Sequence, residues 1–482
     1  MATHFVEPVP ARLLMWQRVR EYAVPPSMIE NATARRAVGD WAGACAAARI
    51  DVDLDLRAVR ARHGTDLASR LRADLRRLAP DLLRWHMPRT APDGRLRPGL
   101  TLCLARYEAP GRAAPRLVVR TPPAWADAGQ RMSLALWEGA RDDAPAHHPH
   151  PHPDRRFRLD LHRHLWDGTR SAELAGRCWA PHTPDGPRGR EPGDGAPGPV
   201  PDHWAAEAEL LLRADGHPPR GRLTVRFGAR SHGVFELVAP DDGHAPVLRP
   251  VRELPSAPAA AALPVLPEAA ARPLPDLELL RAGLLRADRL HPLVARVLAG
   301  PGPAAPSVPA PEAGPAAATA AADPHRVDCL GEVHRIALRD GTLTAVDHEP
   351  AQLAREELLM ALGGPGLPCL RAIDAVHRSP EALPAVRERL GHGDVTGALA
   401  AVEGLLGPGA VLREGPLRDA LEAAVAGRLD QGLFRAGLVP VHPAAALAEG
   451  LAGHRPRLDR TLPRELRRKR GSRSRPRSGL PA

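Results

Sequence analysis

The chain has almost no lysine and very little isoleucine. One lysine, Lys469, stands against 65 arginines, and the isoleucines are Ile29, Ile50, Ile336 and Ile373. Such a swing toward Arg, Ala, Gly and Pro follows the codon bias of a very GC-rich genome. Arginine richness is then no evidence for phosphate binding. Cysteine is also scarce, with Cys45, Cys103, Cys178, Cys329 and Cys369 standing far apart, odd in number and without a CxxC pair. That argues against a disulfide framework and against a structural zinc site, and reduced thiols in a cytosolic protein are expected. No window approaches 18 uninterrupted apolar residues, so no membrane-spanning helix is expected. The opening stretch has no basic segment followed by an apolar one, which removes a secretion signal and leaves a cytoplasmic location as the expectation.

Catalytic motifs are missing as well. His348-Glu349-Pro350 is not HExxH, because proline breaks the helix that would align two histidines. Gly363-Gly364-Pro365-Gly366 lacks the Lys-Ser/Thr of a phosphate loop, and Ser133, Ser171 and Ser231 lack a GxSxG elbow. Asp51, Asp53 and Asp55 resemble the start of a calcium loop, but Leu56 and Arg62 occupy the places of its Gly and Glu. Strand alternation or helix capping accounts for them better. Neither an enzymatic activity nor a cofactor is expected from these patterns.

What is present begins with charge. The formal net charge is +10. Residues 455–482 hold eleven positive and two negative side chains, so nine of the ten charges lie in this one segment. The rest of the chain is nearly balanced. A tail of this kind, 441–482, is too polar to bury a core and is expected to be disordered. Its Arg467, Arg468, Lys469, Arg470, Arg473 and Arg475 would neutralise phosphates without reading bases, and so are candidate anion or nucleic-acid contacts.

The hydrophobic period predicts an α+β, multi-domain chain. Residues 1–94 form an N-terminal helical region. Gly39-Asp40 separates two helices there, the glycine as a left-handed C-cap and the aspartate as the next N-cap. Asp55 is placed to cap a following helix, and Leu67, Leu71, Leu75 and Leu78 recur at helical spacing. Residues 95–240 change period and predict a central antiparallel β-domain of sandwich or barrel type. Its strands are Leu100–Tyr107, Arg116–Arg120, Met132–Trp137, Arg158–His162, Glu207–Arg213, Leu223–Phe227 and Val234–Val238. Disordered insertions are expected at 140–153 and 182–201. An Ala/Pro-rich linker follows at 241–325, with a helix near 277–298. Its stretch Gly300–Pro324 has seven prolines and no aromatic residue. A C-terminal domain, 326–440, opens with a β-hairpin turning at Asp340-Gly341 and continues as a helical bundle at about 350–362, 367–378, 380–391, 394–406 and 415–436.

ERLGHGDVTGALAAVEGLL in that bundle echoes RRAVGDWAGACAAAR near the N-terminus. In both, a helix ends in Gly-Asp and small residues open the next, as in tetratricopeptide-like hairpins. A solenoid needs three adjacent units, so these read as two separate α-hairpins. The tryptophans sit on apolar stripes and read as core anchors. The richest titratable cluster is His147, His148, His150 and His152, then His162 and His164. On a strand, His162 and His164 share a face with Asp160 and are the candidate metal ligands. The plainer reading is a solvated loop plus a polar strand face.

The stretches MWQRVREYAVPPSMIENATARRAVGDWAGACAAARIDVDLD and LGHGDVTGALAAVEGLLGPGAVLREGPLRDALEAAV resemble an uncharacterised protein family of high-GC actinomycetes. The family carries no known catalytic residues. Its members are encoded near AAA+ ATPases, so the resemblance implies an accessory role with an AAA+ ATPase as protein partner. The leading functional expectation is a non-catalytic cytoplasmic interaction or scaffold protein. The alternatives are a nucleic-acid-associated protein acting through the basic tail, and a metal-dependent enzyme using His162 and His164.

Overall fold

The computed structural model describes residues 9–298 apart from 109–113, 124–128, 140–151, 179–199, 202, 229–230, 239–244 and 252–254. It also describes residues 326–445 apart from 330, 340–341, 363, 365, 372, 374–381, 407–415, 437 and 440. Most of the basic tail, the stretch Gly300–Pro324, the His147–His150 cluster and the Asp340-Gly341 turn therefore lie outside the described residues. By contacts the chain divides into two units, Met1–Gly300 with Ala444–Ala482, and Pro301–Pro443. The fold is α+β, with N-terminal helices and a central sheet. Among the described residues no sheet closes into a barrel.

The N-terminal unit opens with α1 (Ala11–Tyr22), α2 (Pro26–Ala37) and α3 (Trp41–Ala47). Gly39 ends α2 at φ +77°, where a side chain would be strained, and the Asp40 carboxylate accepts from Gly43 N at 2.8 Å. Strand β1 (Ile50–Asp53) follows, and the Asp55 carboxylate caps α4 (Leu56–Arg77) by accepting from Arg57 N and Ala58 N. The three aspartates thus divide between strand and cap. Gly64, at φ +84°, breaks α4 into two segments, and the second buries Leu67, Leu71 and Leu75 on one face, with Leu78 just past its end. Helix α5 (Pro80–His86) is almost wholly buried.

The sheet adds β2 (Thr101–Arg106), β3 (Arg116–Arg120) and β4 (Met132–Trp137) in the order β1-β4-β3-β2. Only β1 runs parallel to its neighbour, Ile50 opposite Met132. A 3-10 turn at Arg163–Leu165 and the short α6 (Leu174–Cys178) follow. Helix α7 (His203–Ala214) then covers a second, antiparallel sheet of β5 (Gly221–Arg226), β6 (His232–Val238) and β7 (Val247–Pro250). Trp204, Phe227 and Phe235 meet there with ring centroids about 6 Å apart. Short helices α8 (Ala257–Ala262) and α9 (Glu268–Ala271) follow, with Ala270 of α9 in the second core, and α10 (Pro275–Arg281) and α11 (Pro292–Leu298) return to the first core.

Two expected strands take other forms. Glu207–Arg213 lies within α7, because Trp204, Ala208, Leu211 and Leu212 recur at helical spacing among strong helix formers and no β-branched residue. Arg158–His162 makes one bridge, Cys103 to Arg158, and then turns. Its alternation of apolar and charged residues reflects Arg158–Asp160 pairing within a loop.

Buried ion pairs tie the helices together. Arg20 Nε and Nη2 each donate to Asp276 at 2.8 Å, and Trp85 Nε1 donates to the same carboxylate at 3.0 Å. His291 accepts at Nδ1 from Leu293 N, so its Nε2 carries the proton and donates to Asp81 at 3.0 Å. These contacts join α1, α5, α10 and the start of α11 across more than 190 residues of chain.

The C-terminal unit holds β8 (Arg326–Cys329), β9 (Glu332–Arg339) and β10 (Thr342–Ala345) as an antiparallel sheet with β9 central. Arg339 of β9 pairs with Thr342 of β10. Helices α12 (Pro350–Ala361), α13 (Ala382–Gly391), α14 (Val395–Leu406) and α15 (Pro416–Arg435) follow, with a short helical stretch at 368–371.

Candidate metal centre

Two β-turns and a short helix bring four donors together in the C-terminal unit. Cys329 is the last residue of β8. A two-residue turn containing Gly331 at φ +88° reverses the chain, since Cys329 pairs with Glu332. His334 therefore lies five residues on, within β9, still near the thiol. His348 stands in the turn after β10, and Cys369 sits in the helical stretch 368–371. One donor atom from each of Cys329, His334, His348 and Cys369 lies within 4.8 Å of all the others. Both cysteines are fully buried. Ala345, Leu353, Leu367 and Leu370 pack around them.

The imidazoles are oriented from outside. His334 Nε2 lies 3.5 Å from Glu332 Oε2, and His348 Nδ1 lies 3.4 Å from Gln352 Oε1. Both oxygens can only accept, so these outward nitrogens carry the protons. The lone pairs left on His334 Nδ1 and His348 Nε2 then face each other across 2.6 Å. Two lone pairs at that separation repel, and either a shared proton or a bound metal ion would relieve them. Outer partners of this kind fix the tautomer of a metal-bound histidine. The turn carrying His348 is pinned to β9 by Arg335, whose backbone N–H donates to Asp347 at 2.7 Å and whose guanidinium donates to both carboxylate oxygens. That bonding holds the Asp347 carboxyl down at about 2.

The donor chemistry selects the ion. Two thiols and two imidazoles suit zinc and similar soft or borderline cations, not magnesium or calcium. Tetrahedral bonds of ~2.0–2.3 Å need donor separations of roughly 3.3–3.8 Å, inside the 4.8 Å limit, so the two imidazole nitrogens, 2.6 Å apart, would have to separate to take up the ion. Four protein donors fill a tetrahedron and leave no position for substrate or water, which is the arrangement of structural sites. Burial and the neighbouring Cys329 thiol push the Cys369 thiol up to about 12. A metal would therefore have to displace the thiol protons on binding.

His162 and His164 are placed differently. They flank Arg163, His162 before the 3-10 turn and His164 within it, with ring centroids 5.8 Å apart. His162 Nδ1 donates to Arg158 O at 3.0 Å, and its Nε2 lies 3.1 Å from Glu207, which is also bound by Arg177. Asp160, the expected companion carboxylate, is held by Arg158. Burial and the adjacent His162 drive His164 down to about 2, so it stays neutral. The surroundings of this pair are those of a packed polar cluster. The Arg467–Arg475 candidates lie outside the described residues.

The quartet is invisible to a search for close-set ligands, because its spacing is Cys-x4-His-x13-His-x20-Cys. The legible trace was a cysteine and a histidine flanking a glycine turn, next to a hairpin whose far end carries another histidine. Comparison with protein-family models, with curated proteins and with solved structures finds no match to this chain.

Proposed function

We propose that this chain is a non-catalytic interaction protein whose C-terminal unit is a small module stapled by a zinc-class ion at Cys329, His334, His348 and Cys369. The observation that carries this reading is the convergence of four protein donors with both histidines oriented by outward partners. A closed site of that type supplies folding free energy, not a reactive ligand position. The cytoplasmic location and the accessory role beside an AAA+ ATPase, which rest on the signals and resemblance in the sequence, belong to the same proposal. Among the described residues no helix is long and apolar enough to cross a membrane.

Elemental analysis of the full chain, purified without a His-tag, tests the metal. About one zinc per chain is expected, retained in a His162→Ala/His164→Ala variant and lost in a Cys329→Ser/Cys369→Ser variant. Metal that instead followed His162 and His164 would return the metalloenzyme reading. Repeated recovery of the native protein without any partner would remove the interaction reading.

A second reading rests on the charge of residues 455–482, which favours weak phosphate contact by Arg467, Arg468, Lys469, Arg470, Arg473 and Arg475. Its test is binding to non-specific DNA at two salt concentrations. Equal binding by a chain lacking 455–482 would end it.

A further inference from the structure

A cavity of about 350 Å³ opens in the N-terminal unit, between α1, the segment after α5, residues 156–159 and the stretch 268–275. That volume falls in the range of small-molecule sites, ~300–1,000 Å³. Its apolar walls include Met15, Trp16, Met87, Leu102 and Phe157. Its charged lining is one-sided: seven arginines and a single carboxylate, Glu268.

Four of the arginines already have counter-ions, Arg12 with Glu278, Arg20 with Asp276, Arg156 with Asp154 and Arg158 with Asp160. Arg97 has Glu268 at 3.9 Å, and Arg272 is exposed at the rim. Arg89 differs from all of them. Its Nη2 donates to the Arg84 carbonyl at 2.8 Å, while Nε and Nη1 are buried without a hydrogen-bond partner. Among the described residues no carboxylate pairs with it. Beside it, His86 uses Nδ1 on the Leu82 and Leu165 carbonyls, and its buried Nε2 has no partner. His86 adds no positive charge, because burial holds it down at about 4.

A buried guanidinium without a counter-ion is costly, and such a group lining a cavity marks a candidate ligand site. Burial and the like charge of Arg20 lower Arg89 to about 9, so it still carries its proton near neutrality. We infer that this cavity binds a small organic anion, a carboxylate or phosphate monoester carried on a flat apolar group, with the anionic end toward Arg89. The aromatic and thioether walls take the apolar body. The site shares no residue with the metal centre, so either proposal can fail alone.

The test uses the full chain in low-chloride buffer, with phenylacetate, indole-3-acetate and phenyl phosphate as probes. Phenylacetamide and indole-3-acetamide serve as neutral counterparts. Ligand-observed NMR and calorimetry should find one-to-one binding of at least one anion, with a neutral amide at least tenfold weaker. Binding of the carboxylates alone or the phosphate alone identifies the headgroup. Arg89→Gln should weaken the bound anion at least tenfold with an unchanged far-ultraviolet dichroism spectrum. If that variant does not fold, Arg272→Glu at the exposed rim should raise Kd at least threefold. The inference is overturned by no binding of any of the three anions at millimolar concentration. Amides that bind as well as the acids, or a folded Arg89→Gln chain that binds undiminished, overturn it equally.

Discussion

The hairpin of α2 and α3 and the hairpin of α13 and α14 share one local design and stand on different foundations. In both, arginine, glycine, aspartate and glycine recur at the same offsets: Arg35, Gly39, Asp40, Gly43 and Arg389, Gly393, Asp394, Gly397. Both first glycines adopt φ +77°. Both aspartates cap the second helix through the later glycine's N–H and hold the arginine at 3.0–3.1 Å. A Cβ on Gly43 or Gly397 would collide with the capping carboxylate, which explains the second glycine. Beneath the first hairpin lies a core that runs from Val19 to Leu298. Beneath the second lies Val386, Ala398 and Val402, with a separate cluster of six residues of which two are Cys329 and Cys369. Local sequence writes the turn in each case. What keeps the turn folded is burial in one unit and, on our reading, a metal in the other, because clusters this small rarely stabilise a unit unaided.

The comparison breaks most sharply on metal removal. A strong chelator, or Cys329→Ser/Cys369→Ser, should abolish the helical dichroism of the C-terminal unit. All eight tryptophans lie within residues 1–204, so their emission reports the N-terminal unit alone and should not move. A loss of tryptophan signal together with the helices would show one common foundation.

Within the N-terminal unit, Asp276→Ala leaves Arg20 buried without its partner and should cost ~3–5 kcal/mol, read from the denaturant midpoint of tryptophan fluorescence. The C-terminal unit should keep its metal. A loss below about 1 kcal/mol would mean that water takes the carboxylate's place as acceptor.

Acid acts on the N-terminal unit by a known sign. His86 and His164 are lowered by burial to about 4 and about 2, so they are neutral when folded and bind protons at about 6.5 when unfolded. The unfolded state then holds more protons, and stability falls as pH drops below about 6.5 toward the folded values. Stability of the His86→Leu/His164→Leu variant should depend less on pH between 6.5 and 4. An unchanged slope would place the acid sensitivity elsewhere.

The smallest effect sharpens the shared design. Asp40→Ala and Asp394→Ala should each cost ~1 kcal/mol, the ordinary worth of an N-cap. The first is measured by tryptophan fluorescence and the second by metal-dependent dichroism. A cost at Asp394 several times that at Asp40 would mean the C-terminal cap supports more than its own turn.

Much of this was legible from short-range pattern. The Gly-Asp turns, the Asp55 cap, the Leu67–Leu78 stripe and the strands Arg116–Arg120 and Met132–Trp137 are local, and the chain states them directly. The two misread strands failed because a run of leucines or an arginine-aspartate alternation does not declare its period over six residues. The metal centre was hidden for another reason. Its ligands span forty residues and come together only through hairpin register, and His348 was weighed as part of a helix motif when it belongs to a turn. The cavity is less legible still, since among so many arginines only packing reveals that Arg89 lacks a counter-ion.

The most direct test of the account is cobalt substitution. The metal-free full chain is titrated with Co²⁺ and its absorption spectrum recorded. One equivalent should produce the strong visible bands of a tetrahedral ion and near-ultraviolet thiolate charge transfer, with the latter about halved in Cys369→Ser. A weak six-coordinate spectrum, or one indifferent to Cys329, His334, His348 and Cys369, would contradict the metal-stapled unit.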